Sequence, residues 1–221
     1  MSIFALGPRA IAEYVAWRDL HVRVEGADRL PAQGPAILAA RHYHHLYDGA
    51  ALLVALPRTP RFFVALDWTG GPLQRLAMEV ACELAEWPVT LRSENAAGPA
   101  SGAQIRGYAR AALTRANALL QRGDVLVVFP EAYPTVDPHG SPKAHDAAFL
   151  PFRPGFAAIA ARAARGDTRV PVFPVGLAYG AERAKRRAVT IRIGPAHYAT
   201  TRGSRAEFVA AVEREVHRLS R

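Results

Sequence analysis

Short apolar runs alternate with longer segments of helical spacing along most of this chain. The runs AILAA (36–40), RFFVAL (61–66), VLVVF (125–129) and VPVFPVGLA (170–178) are mostly apolar, which is typical of strands that are buried on both faces. Between them, residues 72–87 place large aliphatic side chains on one helical stripe: Leu73, Leu76, Val80 and Leu84. This alternation predicts an α/β fold with a mostly parallel central sheet flanked by helices.

The length of the chain predicts one domain over residues 1–221. Half of its 221 residues are apolar, enough for a substantial core, and no repeat or long low-complexity segment divides them. The longest apolar runs are too short to span a bilayer, and the N-terminus, broken by Gly7 and Pro8, lacks the pattern of a signal peptide. A single cysteine, Cys82, allows no internal disulfide. We therefore expect a cytoplasmic protein.

The net charge of +9 comes almost wholly from arginine, since Lys143 and Lys185 are the only lysines. A basic surface favours anionic partners such as lipid headgroups, phosphorylated substrates or nucleic acid. No nucleic-acid-binding motif is present, and the arginines are dispersed rather than interleaved with aromatic residues. We therefore expect no nucleic-acid partner.

Two polar clusters follow apolar strands, RHYHHLYDG (41–49) after AILAA and PEAYP (130–134) after VLVVF. Reactive groups of α/β proteins tend to lie where strands end. In the first cluster, Asp48 can orient one imidazole of His42 or His44 so that the other ring nitrogen is a free base. Such a base can take a proton from a hydroxyl nucleophile.

Two other interpretations of the histidines compete with this one. A zinc site would need further ligands, for which His139 and His145 of the loop over residues 132–148 are the candidates, but no metal-motif spacing supports it. The histidines could instead cap the following helix or pack. Motifs of other chemistries, such as G-x-S-x-G, the P-loop, H-E-x-x-H and G-x-G-x-x-G, are absent from the sequence.

Five segments, taken in order, resemble the PlsC-type glycerolipid acyltransferases, the family of 1-acylglycerol-3-phosphate acyltransferase. They are RVEGADRLPAQGPAILAARHYHHLYDG (23–49), WPVTLR (87–92), VLVVFPEAYP (125–134), LPFRPGFAAIA (150–160) and VPVFPVGLAYG (170–180). The resemblance covers about residues 20 to 195 and includes the family's Phe-Pro-Glu block and its strand bearing Val-Pro-Val.

The resemblance implies transfer of a fatty acyl group from acyl-CoA or acyl-carrier protein to a hydroxyl of a lysophospholipid or related lipid. The histidine would be the base, the aspartate its orienting partner, and neither a covalent acyl-enzyme nor a cofactor or metal is expected. Arg92 and Glu131 correspond to residues associated with the acceptor site. The enzyme would make peripheral contact with the anionic inner face of the cell membrane.

The first block departs from the family in its spacing, which is four residues between histidine and aspartate. Counted back from Asp48, that slot holds Tyr43. The strand-then-Arg-His junction favours His42 as the base, with one extra residue in the loop, and His44 is the second candidate. His44 to Gly49 also spells H-x-x-x-D-G, a motif of a different acyltransferase superfamily, whose members are far longer and whose other blocks do not fit.

The third block departs as well. Ala132 replaces the family's glycine, and the following Tyr-Pro-Thr replaces Thr-Arg-Ser, so the expected arginine is absent. Its loss would weaken a phosphate clamp, and Arg153 is the candidate to substitute for it. These departures leave two alternatives: a non-catalytic member of the same fold that binds a lipid or phosphorylated ligand, and a hydrolase that uses the same base on water.

Overall fold

The computed structural model describes residues 3–92, 102–145, 148–164, 169–183, 186–199 and 204–221, with backbone only for 3–6 and 181–183. Its helices are α1 (Ile3–Asp19), α2 (Tyr47–Ala55), α3 (Pro72–Leu84), α4 (Gly102–Gln121), α5 (Gly155–Ala163) and α6 (Arg205–Leu219). Its strands are β1 (Leu20–Glu25), β2 (Ala36–Ala40), β3 (Arg61–Phe62), β4 (Val64–Ala65), β5 (Val89–Thr90), β6 (Val125–Val128), β7 (Pro171–Arg183), β8 (Arg186–Ile193) and β9 (His197–Tyr198). The segment ENAAGPASG (94–102), whose composition predicts a loop, lies mostly outside the described residues, as does Gly166, where the sequence predicts the end of a helix.

The central sheet has the strand order β1-β8-β7-β2-β6-β3, with β9 also pairing with β7. Strands β2, β3, β6 and β7 are mutually parallel, whereas β8 runs antiparallel to β7 and β1 runs parallel to β8. The predicted α/β fold with a mostly parallel sheet is therefore confirmed. The carboxyl ends of the four parallel strands point towards one edge of the sheet, where β7 extends beyond β2 and pairs with the beginning of β8, which in turn pairs with the beginning of β1; we call this the site edge.

Helices cover both faces of the sheet, which explains why its central strands are apolar throughout. Along β2, Ala36, Leu38 and Ala40 pack into a cluster with α1 and α2. The alternate residues Ile37 and Ala39 pack into a second cluster with α4, α5 and α6. Because successive side chains of a strand point to opposite faces, a strand between two helical layers is apolar at every position.

The run RFFVAL forms two short strands instead of the single strand predicted. Arg61 and Phe62 pair with β6 in the main sheet, and Val64 and Ala65 pair with β5 in a separate two-stranded sheet. The change of partner occurs between Phe63, whose N–H donates to the Val127 carbonyl, and Val64, whose N–H donates to Pro88. A run of uniform hydrophobicity cannot show such a change, because it depends on which neighbour the backbone meets.

The aliphatic stripe of α3 faces outward. Leu73 is 80% exposed, and the stripe also contains Leu76, Val80 and Leu84; we call these four residues the outer stripe. The buried side of α3 carries Cys82, and burial raises the pKa of its thiol to about 11. No helix in the described ranges is both long and apolar enough to cross a membrane.

The end of α6 packs directly against β7 at Gly176. A Cβ at Gly176 would lie closer to the backbone of Leu219 than any real Cβ contact. We expect Gly176→Ala to reduce the free energy of unfolding by about 3 kcal/mol, because rigid backbone cannot relieve the overlap. Gly180→Ala in the same strand is the control, since its nearest neighbour would be the Ala188 Cβ at 3.4 Å. Equal losses for both variants in urea denaturation would contradict this explanation.

Candidate active site

The carboxylate of Asp48 is the centre of the loop that follows β2. Asp48 lies in the first turn of α2 and is completely buried. Its Oδ2 accepts hydrogen bonds from the backbone N–H groups of Tyr43, at 2.7 Å, and His44, at 3.0 Å. The same oxygen lies 2.9 Å from Nδ1 of His42. The loop therefore curls around the carboxylate, and five intervening residues still bring His42 and Asp48 into contact.

The second oxygen of Asp48 is bound by a residue from β7. The hydroxyl of Tyr179 donates to Oδ1 at 2.5 Å, and its ring stacks on that of Tyr43. Burial, helped by the negative charge of Asp48, raises the pKa of Tyr179 far above its ordinary value, so the phenol stays protonated and can only donate here. Tyr179 was not predicted as a site residue from the sequence, although it lies within the last of the five blocks. Its position near the site edge on a strand adjacent to β2 is the signal that identifies it.

The ring of His42 is held by two contacts. Nδ1 meets Asp48, and the ring stacks on Phe129, with 4.2 Å between the ring centroids. Because a carboxylate can only accept, the proton between them belongs to Nδ1, which leaves Nε2 with the basic lone pair. The side chain of His42 is 15% exposed, whereas that of Asp48 is completely buried. This arrangement can accept a proton from a bound hydroxyl.

The ring of His44 has a different role from that of His42. Its Nδ1 accepts the N–H groups of Leu46, at 3.2 Å, and Tyr47, at 3.3 Å, and so satisfies amides at the start of α2. The ring stacks on Tyr47. Burial, with the charge of His45, lowers the pKa of His44 to about 4. His44 is thus a neutral helix-capping residue, as in the structural alternative, while its backbone N–H binds Asp48.

A buried ion pair brackets the backbone of His42. Glu131 accepts the His42 N–H on Oε1 at 2.9 Å, and on Oε2 it accepts Leu150 N–H at 3.0 Å and pairs with Lys143 at 2.7 Å. Lys143 Nζ also donates to the carbonyl of His42 at 2.6 Å. Burial lowers the pKa of Lys143, and the charge of Glu131 opposes that shift. This role of Lys143 was not predicted from the sequence. The signal that could have identified it is a lone lysine in a loop of an arginine-rich chain.

Arg92 is also engaged within the chain. Its Nε lies 2.7 Å from Oδ2 of Asp67, its Nη1 donates to the carbonyl of Ala132 at 2.9 Å, and its guanidinium lies over the ring of Tyr133. Ala132 has a φ of 65°, in the left-handed region that suits the family's glycine and costs other residues about 1 kcal/mol. These contacts orient the end of the strand. That Arg92 and Glu131 bind an acceptor stays a prediction.

Arg153 also lies near the ring of Tyr133. Its guanidinium carbon is 5.8 Å from the centre of the Tyr133 ring, and its N–H donates to the carbonyl of Pro130. Arg92 and Arg153 therefore both approach Tyr133, which stands where the family has a residue of its Thr-Arg-Ser segment. A role for Arg153 at a phosphate stays a prediction.

The candidate zinc ligands do not gather into a metal site within the part of the chain that the structure describes, where no three His, Cys, Asp or Glu side chains come together in that way. His139 instead lies near Trp68, and the N–H of His139 donates to Asp137.

The site places an oriented histidine beside a buried carboxylate near the carboxyl ends of the strands of an α/β sheet, an arrangement that suits general-base chemistry on a hydroxyl. The family model described as Acyltransferase matches residues 21–178, and the chain belongs to this acyltransferase family. The resemblance predicted from the five sequence blocks is thereby confirmed.

A solved structure supports the same fold. The chain is similar to a structure described as the 1-acyl-sn-glycerophosphate (LPA) acyltransferase, PlsC, from Thermotoga maritima, with a TM-score of 0.64 and 20% sequence identity. The match covers 97% of this chain and 77% of that chain. No curated protein matches the chain.

The capping role of His44 predicts a pH dependence of stability. The pKa of about 4 in the folded protein lies below the ordinary value of 6.5, so the stabilisation is present above pH 6.5 and is lost as the pH falls towards 4. Between pH 7 and 4.5 we expect the wild type to lose roughly 1 to 2 kcal/mol more than His44→Asn, a value reduced for partial exposure. Asn keeps a capping oxygen but does not titrate. Urea denaturation at both pH values tests this, and parallel losses would contradict it.

Proposed function

We propose that this acyltransferase moves a fatty acyl group from acyl-CoA or acyl-carrier protein to a hydroxyl of a lysophospholipid or related lipid. The observation that supports this most directly is the contact between His42 and buried Asp48 in a chain of the acyltransferase family. The activity described for the Thermotoga maritima protein, 1-acyl-sn-glycerophosphate acyltransferase, agrees with it. The acyl thioester is a substrate, and the proposed reaction needs no cofactor.

The reaction is a direct transfer. The acceptor hydroxyl gives its proton to Nε2 of His42 as its oxygen attacks the thioester carbonyl, and the carbon–sulfur bond then breaks. The leaving thiolate takes the proton from the imidazolium, so no net proton is gained or lost. Asp48 stabilises the imidazolium, and Tyr179 holds Asp48 in position.

The non-catalytic alternative was motivated by the altered spacing between histidine and aspartate. It would gain support if no ring nitrogen of His42 or His44 reached Asp48, whereas Nδ1 of His42 lies at 2.9 Å. The hydrolase alternative uses the same base and differs only in the acceptor, so the products separate the two reactions.

His42→Ala should reduce kcat/KM for acyl transfer by about a thousandfold, because a positioned general base contributes about 10²- to 10⁴-fold. His44→Asn should keep activity within a few-fold, since it preserves the cap and the backbone contact to Asp48.

Tyr179→Phe should lower kcat about tenfold by removing one hydrogen bond to the orienting carboxylate. The assay follows thioester consumption and acylated product with acyl-CoA and acyl-carrier protein against a panel of lysolipids.

The same assay contains the contrary outcomes. A loss in His44→Asn with an active His42→Ala would transfer the base role to His44. Thioester consumption that yields free fatty acid and no acylated lipid would favour the hydrolase. An intact, folded wild type that leaves every thioester and acceptor unchanged would contradict the proposed function.

We further propose that the enzyme is cytoplasmic and works in peripheral contact with an anionic bilayer, through the outer stripe. The net charge of +9 suits an anionic surface, and exposed Trp17 and Tyr14 near the end of α1 are side chains favoured at membrane interfaces. A second copy of this chain fits the outer stripe less well. The 13-residue α3 is about 20 Å long, and two such helices alone would bury well under the ~1,200 Å² of a stable interface.

Leu76→Glu should reduce the fraction of protein that sediments with phosphatidylglycerol-containing vesicles by about tenfold, because it places a charge in the apolar stripe. Ala81→Glu is the matched control, since it adds the same charge to an exposed position of α3 outside the stripe. Equal effects of both variants would contradict the assignment. A wild-type dimer in ultracentrifugation that Leu76→Glu dissociates would assign the stripe to a second copy.

A further inference from the structure

Arg187 lies at the site edge, on the face of the sheet that carries the loop after β2. In β8 the alternate residues that follow it are buried in the cluster with α1 and α2: Val189, Ile191 and Ile193. Arg187 pairs with Leu20 at the beginning of β1, and Leu20 belongs to the same cluster. Because side chains alternate along a strand, the side chain of Arg187 leaves the sheet on this face. The antiparallel direction of β8 then puts it beside the end of β7, two residues beyond Val189, which pairs with Tyr179.

The charge of Arg187 acts on three residues of the site. Burial lowers the pKa of His44, and the charge of Arg187 adds to that shift. Burial raises the pKa values of Tyr47 and Tyr179, and the same charge opposes both increases. His44 and Tyr179 both donate to Asp48, so the charge of Arg187 acts on groups that hold this carboxylate.

The neighbouring cations already have partners. Arg186 donates to the carbonyls of Ala16 and Leu20, Lys143 pairs with Glu131, and Arg92 pairs with Asp67. By contrast, no hydrogen bond or ion pair joins half-buried Arg187 to any side chain that the structure describes. A partly desolvated guanidinium favours an anion with several acceptor oxygens, and its planar donors match a phosphate in a bidentate manner.

We propose that Arg187 binds a phosphate group of the substrate beside the pair of His42 and Asp48. This inference rests on the proposed acyl transfer and identifies a residue that selects phosphorylated substrates. It also accounts for the lost arginine of the third block, because a cation from β8 would replace one from the loop after β6. The phosphate belongs to the acceptor headgroup or to the thioester donor, and the kinetics of the two substrates distinguish these sources.

The kinetic test compares Arg187→Ala with Arg214→Ala, which removes an exposed arginine of α6. With lysophosphatidate as acceptor, Arg187→Ala should raise the acceptor KM about 10- to 100-fold, because bonds to charged groups are strong. With monoacylglycerol, which has no phosphate, the variant should resemble the wild type. Arg187→Lys should recover part of the loss. A raised KM for acyl-CoA at an unchanged acceptor KM would assign the phosphate to the donor.

A binding test separates this inference from the proposed activity. Glycerol 3-phosphate should shift the NMR signals of the His44 ring saturably in the wild type and not in Arg187→Ala, with glycerol as the control. The inference is overturned if the wild type shows no shift, if Arg187→Ala shows the same shift, or if Arg187→Ala and Arg214→Ala give the same kinetics. A phosphate-dependent shift in a protein without transfer activity would support the phosphate site while contradicting the proposed function.

Discussion

The buried carboxylate of Asp48 is the constraint on which the rest of the site depends. An unpaired charge at a fully buried position would cost several kcal/mol, so its hydrogen bonds are required for folding as well as for chemistry. Two donors are backbone amides of the loop after β2, one is a histidine ring of that loop, and one is the hydroxyl of Tyr179 on β7. The carboxylate therefore joins three elements, and the imidazole it orients is fixed by the same bonds that stabilise the fold.

The pair of Glu131 and Lys143 extends this constraint to the long loop after β6. The two side chains, which are paired with each other, bind the N–H and the carbonyl of His42. A loop without helix or strand would otherwise vary freely in position, but Lys143 is buried and ion-paired. The loop therefore helps to hold the proposed base in position, and Glu131 binds the backbone of the chain itself.

The fold and the two ends of the site could be predicted from sequence because they depend on local patterns. Apolar runs identified β2 and β6, and the polar residues that follow them identified His42, Asp48 and Glu131. The contacts of Tyr179 and Lys143 could not be predicted, because their partners are 131 and 101 residues away. The way in which the loop accommodates its one extra residue was equally hidden, since it depends on two amides that bond the same carboxylate oxygen. Sequence spacing cannot reveal such curling of a loop.

Charge balance is compatible with the proposed anionic substrate despite the buried carboxylate. Asp48 is surrounded by four donors, and Glu131 and Asp67 are each paired with a cation. Each of these acidic groups is therefore compensated within the chain and presents little negative potential to a ligand. The cation of Arg187 has no such compensation within the described residues. A phosphate at the proposed Arg187 site would therefore meet none of these three carboxylates unpaired.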